Sequence, residues 1–319
     1  MNFIDMHCDT IWQLMENEQT ELKENPFCVD LKKLSRAESI AQFFACFIYM
    51  KQFDGADRYT KGYEYAVQMI ERIKKEISKN TDSIALATNL SDFIDNQNAD
   101  KLSAFLTIEE GGILDNQMNR LHTLYKKGIR LMTILWNEEN CIGFPNSKDC
   151  EIMQRGLKPF GFEVIEQMND LGMLIDVSHL SDGGFWDVFQ TSTKPFVASH
   201  SNARTLCSHP RNLTDEMIRA IAEKGGVIGL NFYPYFVNSS GDVSVQDLAK
   251  HALHVFQMGG EDVLAIGTDF DGFDEGNLEL TDISQVPLLW MELKKQGFTE
   301  RQLEKIWSQN ILRVIKDVL

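Results

Sequence analysis

Short apolar runs rich in β-branched and aromatic residues recur along the chain. Each is followed by a polar turn and then by apolar residues at helical spacing. Eight runs are candidate core strands: 3–9 (FIDMHCD), 42–49 (QFFACFIY), 103–109 (SAFLTIE), 129–135 (IRLMTIL), 173–179 (MLIDVSH), 195–200 (PFVASH), 226–232 (GVIGLNF) and 263–269 (VLAIGTD). Helical periodicity falls at about 11–23, 59–78, 115–127, 157–170, 214–224, 245–258, 283–295 and 299–317. Thr214 followed by Asp215 and Glu216 reads as a cap with an acidic first turn, and Gly225-Gly226 stops that helix. The segment 84–88 (IALAT) predicts a short ninth strand and 91–100 a small helix, both inserted before the strand at Ser103. Eight βα repeats predict an α/β fold, a (β/α)8 TIM-type barrel. An open doubly wound sheet is the competing architecture, disfavoured because no strand is followed by a Gly-rich phosphate loop.

At 319 residues with no Ser/Gly/Pro-rich linker, the chain reads as a single domain over 1–319. Apolar residues at 43% and charged residues at 24% exclude wholesale disorder and a disulfide miniprotein. A net charge of -16 disfavours a broad grip on nucleic acid or anionic lipid. No run reaches the length of a membrane span, and the first residues lack the basic flank and apolar core of a signal peptide. The six cysteines form no CxxC pair and read as isolated thiols. A cytoplasmic protein with no membrane and no nucleic-acid partner is expected.

Barrel active sites are assembled at the C-terminal ends of the strands, so polar residues interrupting those ends carry the chemistry. Five strands end this way: at His7-x-Asp9, at Glu109-Glu110-Gly111-Gly112, at His179, at His200 and at Asp269. Taken alone, His-x-Asp fits a buried histidine paired to a carboxylate better than a metal site. Together, three histidines and two carboxylates suit zinc or another borderline divalent ion. Five ligands exceed what one catalytic zinc takes, so two divalent ions, most simply Zn2+, are expected. His7 and Asp9 would complete one ion, His179 and His200 the other, with Glu110 as the bridge. Glu109 faces away from Glu110 and reads as a supporting carboxylate. Asp269 is the candidate proton shuttle, with Asp271 as its competitor or as a turn residue before Gly272. Arg204 or Arg211 can clamp a substrate carboxylate. His209, beside Pro210, and His122, His251 and His254, on predicted helices, are left outside the site.

The ordered set His7-x-Asp9, Glu110-Gly111-Gly112, Asp176-x-x-His179, Ser199-His200-Ser201, Arg211-Asn212 and Gly267-x-Asp269-Phe270-Asp271-Gly272 resembles the renal (membrane) dipeptidase family of zinc peptidases. The resemblance runs from residue 3 to about 315. It implies a barrel with a binuclear zinc centre on His7, Asp9, Glu110, His179 and His200. It also implies a dipeptide substrate, in some members with a D-residue at the C-terminal position, Arg211 on its carboxylate, Asp269 at the reacting end, Tyr233 in the pocket, and a homodimer. Attack by a metal-bound hydroxide is the mechanism it implies. The chain departs from the family after the fourth strand, where MTILWNEEN places Trp136 at the position of a substrate-binding histidine. An indole donates but cannot accept a proton, and Asn137 or Asn140 is the alternative donor. Two other readings stay open: another metal-dependent amidohydrolase of deaminase or lactonase type, and a non-catalytic metal-holding barrel that binds peptides.

Overall fold

A computed structural model describes residues 2–319. Among the described residues eleven strands occur: β1 Phe3–Cys8, β2 Ser39–Phe47, β3 Ile84–Leu86, β4 Leu102–Glu109, β5 Ile129–Thr133, β6 Leu174–Asp176, β7 Val197–Ser201, β8 Val227–Leu230, β9 Asp242–Val243, β10 Leu264–Ile266 and β11 Asn277–Leu278. Nine of them form one parallel sheet in the order β2-β1-β10-β8-β7-β6-β5-β4-β3, and an additional β2–β4 pairing closes it. The ring is therefore β1-β2-β4-β5-β6-β7-β8-β10, with β3 held outside on the first residues of β4, where Ile84 pairs with Leu102. Each of the eight expected strands is present, and the ninth is the inserted β3. Parallel strands need helical crossovers, which is why the polar turns and helical segments alternate with the strands.

The helices form where apolar period and caps coincide. Thr214 caps Asp215–Glu223 by accepting from the Met217 N–H, and Ser244 forms a capping box with Asp247 at the start of Val245–Gly259. Four helices escaped the sequence pattern, two of them the single turns Cys150–Met153 and Pro234–Val237. Leu31–Arg36 is short and begins at the Asp30 cap. Asp182–Thr191 carries the Gly183-Gly184 pair, which dilutes its periodicity, yet Ser181 caps it and Phe185 and Val188 are buried.

The lower half of the barrel is filled by Ile4, Met6, Phe43, Phe105, Leu131, Leu174, Val197 and Val227, one or two side chains per strand. Phe43 and Phe105 stack with ring centroids 4.8 Å apart. Ile311, Val314, Ile315 and Val318 of the C-terminal helix cover this end. The ring is closed thinly between β1 and β10, where, as between β6 and β7, there is a single register pair, Asp5 with Ile266, here supplemented by the Asp5 carboxylate. That buried side chain accepts from the Thr268 N–H at 2.8 Å, the Thr268 hydroxyl at 2.9 Å and Gln42 Nε2 at 2.8 Å. Burial pushes Asp5 up to about 6, against the pull of those hydrogen bonds. A second narrow place is Gly267, where a Cβ would lie 1.8 Å from the Ser199 carbonyl oxygen, so only glycine lets β7 and β10 approach this closely.

Candidate metal centre and active site

At the C-terminal mouth the polar strand ends converge. His7 Nε2 lies 3.4 Å from Asp9 Oδ2, 3.2 Å from Glu109 Oε2 and 3.9 Å from Asp269 Oδ1. Glu109 Oε1 lies 3.1 Å from His179 Nε2 and 3.6 Å from His200 Nε2. The two latter Nε2 atoms are 3.1 Å apart. His7, Asp9, Glu109, His179 and His200 are all buried, His179 the least so at 7% exposure. Two subsets offer ligand atoms all within 4.8 Å of one another: His7, Glu109 and His200, and His7, Asp9 and Asp269.

The expectation that Glu110 bridges the cluster is corrected. Its backbone has left the strand (φ 111°), and its carboxylate turns into the loop. There it accepts from the Gly112 N–H at 2.7 Å, Asn140 Nδ2 at 2.7 Å and the Trp136 N–H at 3.0 Å. Glu110 thus ties the loop after β4 to the loop after β5, and Asn140 is spent on the same tie. Glu109, expected in a supporting place, lies between the imidazoles instead. The signal was in the alternation: Phe105, Thr107 and Glu109 share the face that lines the barrel, whereas Leu106 and Ile108 face the helices.

Charges in the cluster perturb one another. Burial pushes Asp9 up to about 8, with the Glu109 charge adding to the rise and His7 opposing it. For Glu109 burial acts upward as well, but His7 and His179 outweigh it and hold the carboxyl well below the usual range. Burial, with Arg211 nearby, lowers His179 to about 4. Burial likewise lowers His200, helped by His7 and Arg211. Burial opposes but the Glu109 and Asp9 charges carry His7 well above its usual value, whereas neutral His179 and His200 beside carboxylates are the donor chemistry a borderline dication takes.

Asp269 sits just beyond β10 with φ 63°, a left-handed conformation that a non-glycine residue adopts only under local constraint. Asn231 Nδ2 donates to its Oδ2 at 2.9 Å. Burial raises Asp269 to about 6, with His7 pulling the other way. The next turn needs Gly272, because a Cβ there would lie 2.3 Å from Asp9 Oδ2. Asp271 faces elsewhere: it accepts from Thr10 Oγ1 at 2.6 Å and the Cys28 N–H at 2.6 Å, so it anchors the loop.

Arg211 is buried at 4% exposure. Its Nη1 donates to Ser201 Oγ at 2.8 Å, while Nε and Nη2 have no hydrogen-bond partner among the described residues. Arg204 is fully used, pairing with both oxygens of Asp182 at 2.7 Å and with the Asn212 carbonyl. His209 accepts from the Arg211 N–H, His251 contacts the Val237 carbonyl, and His254 pairs with Asp215. None of these joins the cluster.

A cavity of about 540 Å³ opens above the cluster. Trp12, Phe47, Tyr49 and Trp136 form one wall, with Trp136 edge-on to Phe47 at 5.0 Å and to Tyr49 at 5.6 Å. Tyr233, Phe236 and Phe273 form the other. Asn137 also lines it, with Oδ1 3.0 Å from His179 Nδ1. A slightly larger cavity of about 600 Å³ lies at the opposite end of β2 and β4, between Lys23, Arg36, Asp82 and Asp100. It contains no imidazole and no convergent ligand atoms, so size alone does not mark the reactive site.

Known proteins bear on this arrangement. The description "membrane dipeptidase (peptidase family M19)" belongs to a family model that matches residues 1–319. An uncharacterised Klebsiella pneumoniae protein is 36% identical over 262 residues, covering 79% of this chain and 95% of its own. An uncharacterised dipeptidase of Schizosaccharomyces pombe is 30% identical over 296 residues, covering 90% of this chain and 71% of its own. In three dimensions, a Rhodobacter sphaeroides metallopeptidase liganded with a phosphinate mimic of the dipeptide L-Ala-D-Ala superposes with a TM-score of 0.90 at 22% identity, over 100% of this chain and 99% of that one. At that identity the likeness establishes the barrel, while the family match over every residue goes further. The chain that brings His7, Asp9, Glu109, His179 and His200 to one mouth belongs to the membrane dipeptidase family, peptidase family M19.

Proposed function

We propose that the protein is a metal-dependent dipeptidase in which His7, Asp9, Glu109, His179 and His200 would hold two divalent ions, most simply Zn2+. The observation that carries this reading is the set of buried ligand atoms left without a use. His7 Nδ1 and Nε2 and Asp9 Oδ1 have no hydrogen-bond partner among the described residues. Such atoms are costly in a protein interior unless something satisfies them, and a dication would do so for His7 Nε2 and Asp9 Oδ1. The donor set therefore fits the group the family implies. Bound there, divalent ions make water a nucleophile near neutral pH and polarise the scissile carbonyl.

The chain's own residues supply the rest. Arg211 offers two unpaired N–H groups to a free carboxylate, a recognition that suits a dipeptide's C-terminus and not an internal peptide bond. Asp269, held by Asn231, accepts the proton of the attacking water and delivers it to the leaving amine. The cavity is large enough for two residues, and its aromatic walls exclude water around them. Trp136 serves as part of that wall, Tyr233 forms the facing one, and Asn137 holds His179. A cytoplasmic location agrees with six cysteines that are all unpaired, and among the described residues no helix is long and apolar enough to cross a membrane.

Elemental analysis of the purified protein, run beside a panel of L,L- and L,D-dipeptides and cyclic amides, tests the proposal. About two equivalents of metal with dipeptide turnover are expected. Turnover of cyclic amides alone would replace it with another amidohydrolase chemistry, and metal without any hydrolysis would make the barrel a binder.

A further inference from the structure

Beneath the cluster lies a hydrogen-bond chain that does not touch the cavity. Asp176, fully buried at the end of β6, is surrounded by donors. Its Oδ1 accepts from the backbone N–H groups of Ser178 at 3.0 Å and Ser199 at 2.8 Å. Its Oδ2 accepts from Thr133 Oγ1 at 2.7 Å and Ser199 Oγ at 2.6 Å. The Ser199 hydroxyl in turn lies 2.7 Å from His200 Nδ1.

A serine hydroxyl has one proton and two lone pairs. With its proton committed to Asp176, Ser199 Oγ has only lone pairs to offer His200, so Nδ1 must carry the ring hydrogen and donate it. The ring is then the tautomer whose bare Nε2 faces Glu109 Oε1 and His179 Nε2. From this bookkeeping we infer that Asp176 and Ser199 are positioning residues, a one-way relay that fixes His200 as the Nδ1–H tautomer and so keeps Nε2 available as a ligand before any ion arrives. The use made of that nitrogen rests on the metal-holding reading above; the tautomer does not. Asn137 Oδ1 acts similarly on His179, but from the exposed rim and with a single link.

The direction of the relay makes an unusual forecast. In Asp176→Asn the two backbone donors require the amide oxygen to stay on their side. The new NH2 group must then face Ser199, which becomes an acceptor there and turns its own proton toward His200 Nδ1. The preferred tautomer flips to Nε2–H, which cannot ligate. In Ser199→Ala the preference is merely removed. The test is 15N NMR of imidazole nitrogens in full-length, 15N-histidine-labelled protein after chelation of its metal, with zinc affinity measured by calorimetry on the same samples. Wild type is expected as Nδ1–H at His200, Ser199→Ala as a mixture, and Asp176→Asn as Nε2–H. Zinc affinity should fall in that order, by roughly 10–100-fold for the disrupted variants. A wild-type His200 protonated on Nε2, or a tautomer unchanged in both variants, overturns the inference. If Asp176→Asn does not fold, the Ser199→Ala spectrum decides by itself. Wild type that shows the Nδ1–H form yet binds no zinc would sustain the relay and overturn the metal reading instead.

Discussion

The two ends of this barrel are built from the same strands and obey opposite rules. At the lower end an apolar cluster fills the interior, the rings of Phe43 and Phe105 stack, and the C-terminal helix seals it. At the upper end the same strands terminate in His7, Glu109, His200 and Asp269, with buried polar atoms left unpartnered. The lower end minimises free energy by excluding water, whereas the upper end crowds carboxylates and imidazoles together, a repulsion that a proton or a cation would offset. A few residues of strand separate stability from chemistry, so the two should respond to mutation in opposite ways.

Exchanging the adjacent carboxylates breaks that comparison most sharply. Glu109→Gln should abolish turnover and lower metal content, whereas Glu110→Gln should keep the metal and cost about 1–3 kcal/mol through its disrupted loop tie. Metal analysis, kinetics and denaturant melts on both variants check this, and the reverse outcome would restore Glu110 to the cluster. Next in size, Asp269→Asn should retain metal while kcat falls by roughly 10²–10⁴-fold, as read from dipeptide kinetics at saturating metal. At the other end, Phe105→Ala should destabilise by about 3–5 kcal/mol and leave kcat per folded molecule unchanged. Urea melts and active-fraction kinetics separate the two effects.

The smallest expected effect concerns pH after metal removal. Asp9 is pushed up to about 8 by burial and by Glu109, so the stripped protein binds a proton there that the unfolded chain releases near 4. A raised folded pKa gives stability that is complete below about 4 and is lost as pH climbs through about 8. The stripped protein should therefore melt roughly 3–5 °C lower at pH 8 than at pH 6, and zinc should erase that slope. Calorimetry with and without chelator checks it; a stripped protein that grows more stable over this interval would contradict the assigned environment of Asp9.

How much of this was legible in the sequence follows from local physics. The eight strands were visible because a parallel barrel buries both faces of each strand, which writes continuous apolar runs into the chain. His7, Asp9, His179, His200 and Asp269 stood out as polar interruptions of those runs. The Asp182–Thr191 helix was hidden by Gly183 and Gly184, since its formation depends on the Ser181 cap and on packing at Phe185. Glu109 and Glu110 were indistinguishable by composition, and the glycines after them drew attention to the wrong one. What separates them is the phase of β4 relative to Phe105, and phase becomes certain only once the strand's neighbours are known.

The thin closure between β1 and β10 has a consequence for how the protein is made. His7 and Asp9 are made about 260 residues before Asp269. Until β10 docks beside Asp5, His7 and Asp9 have no wall behind them. A centre built on these side chains would therefore assemble only after the chain has been made through β10.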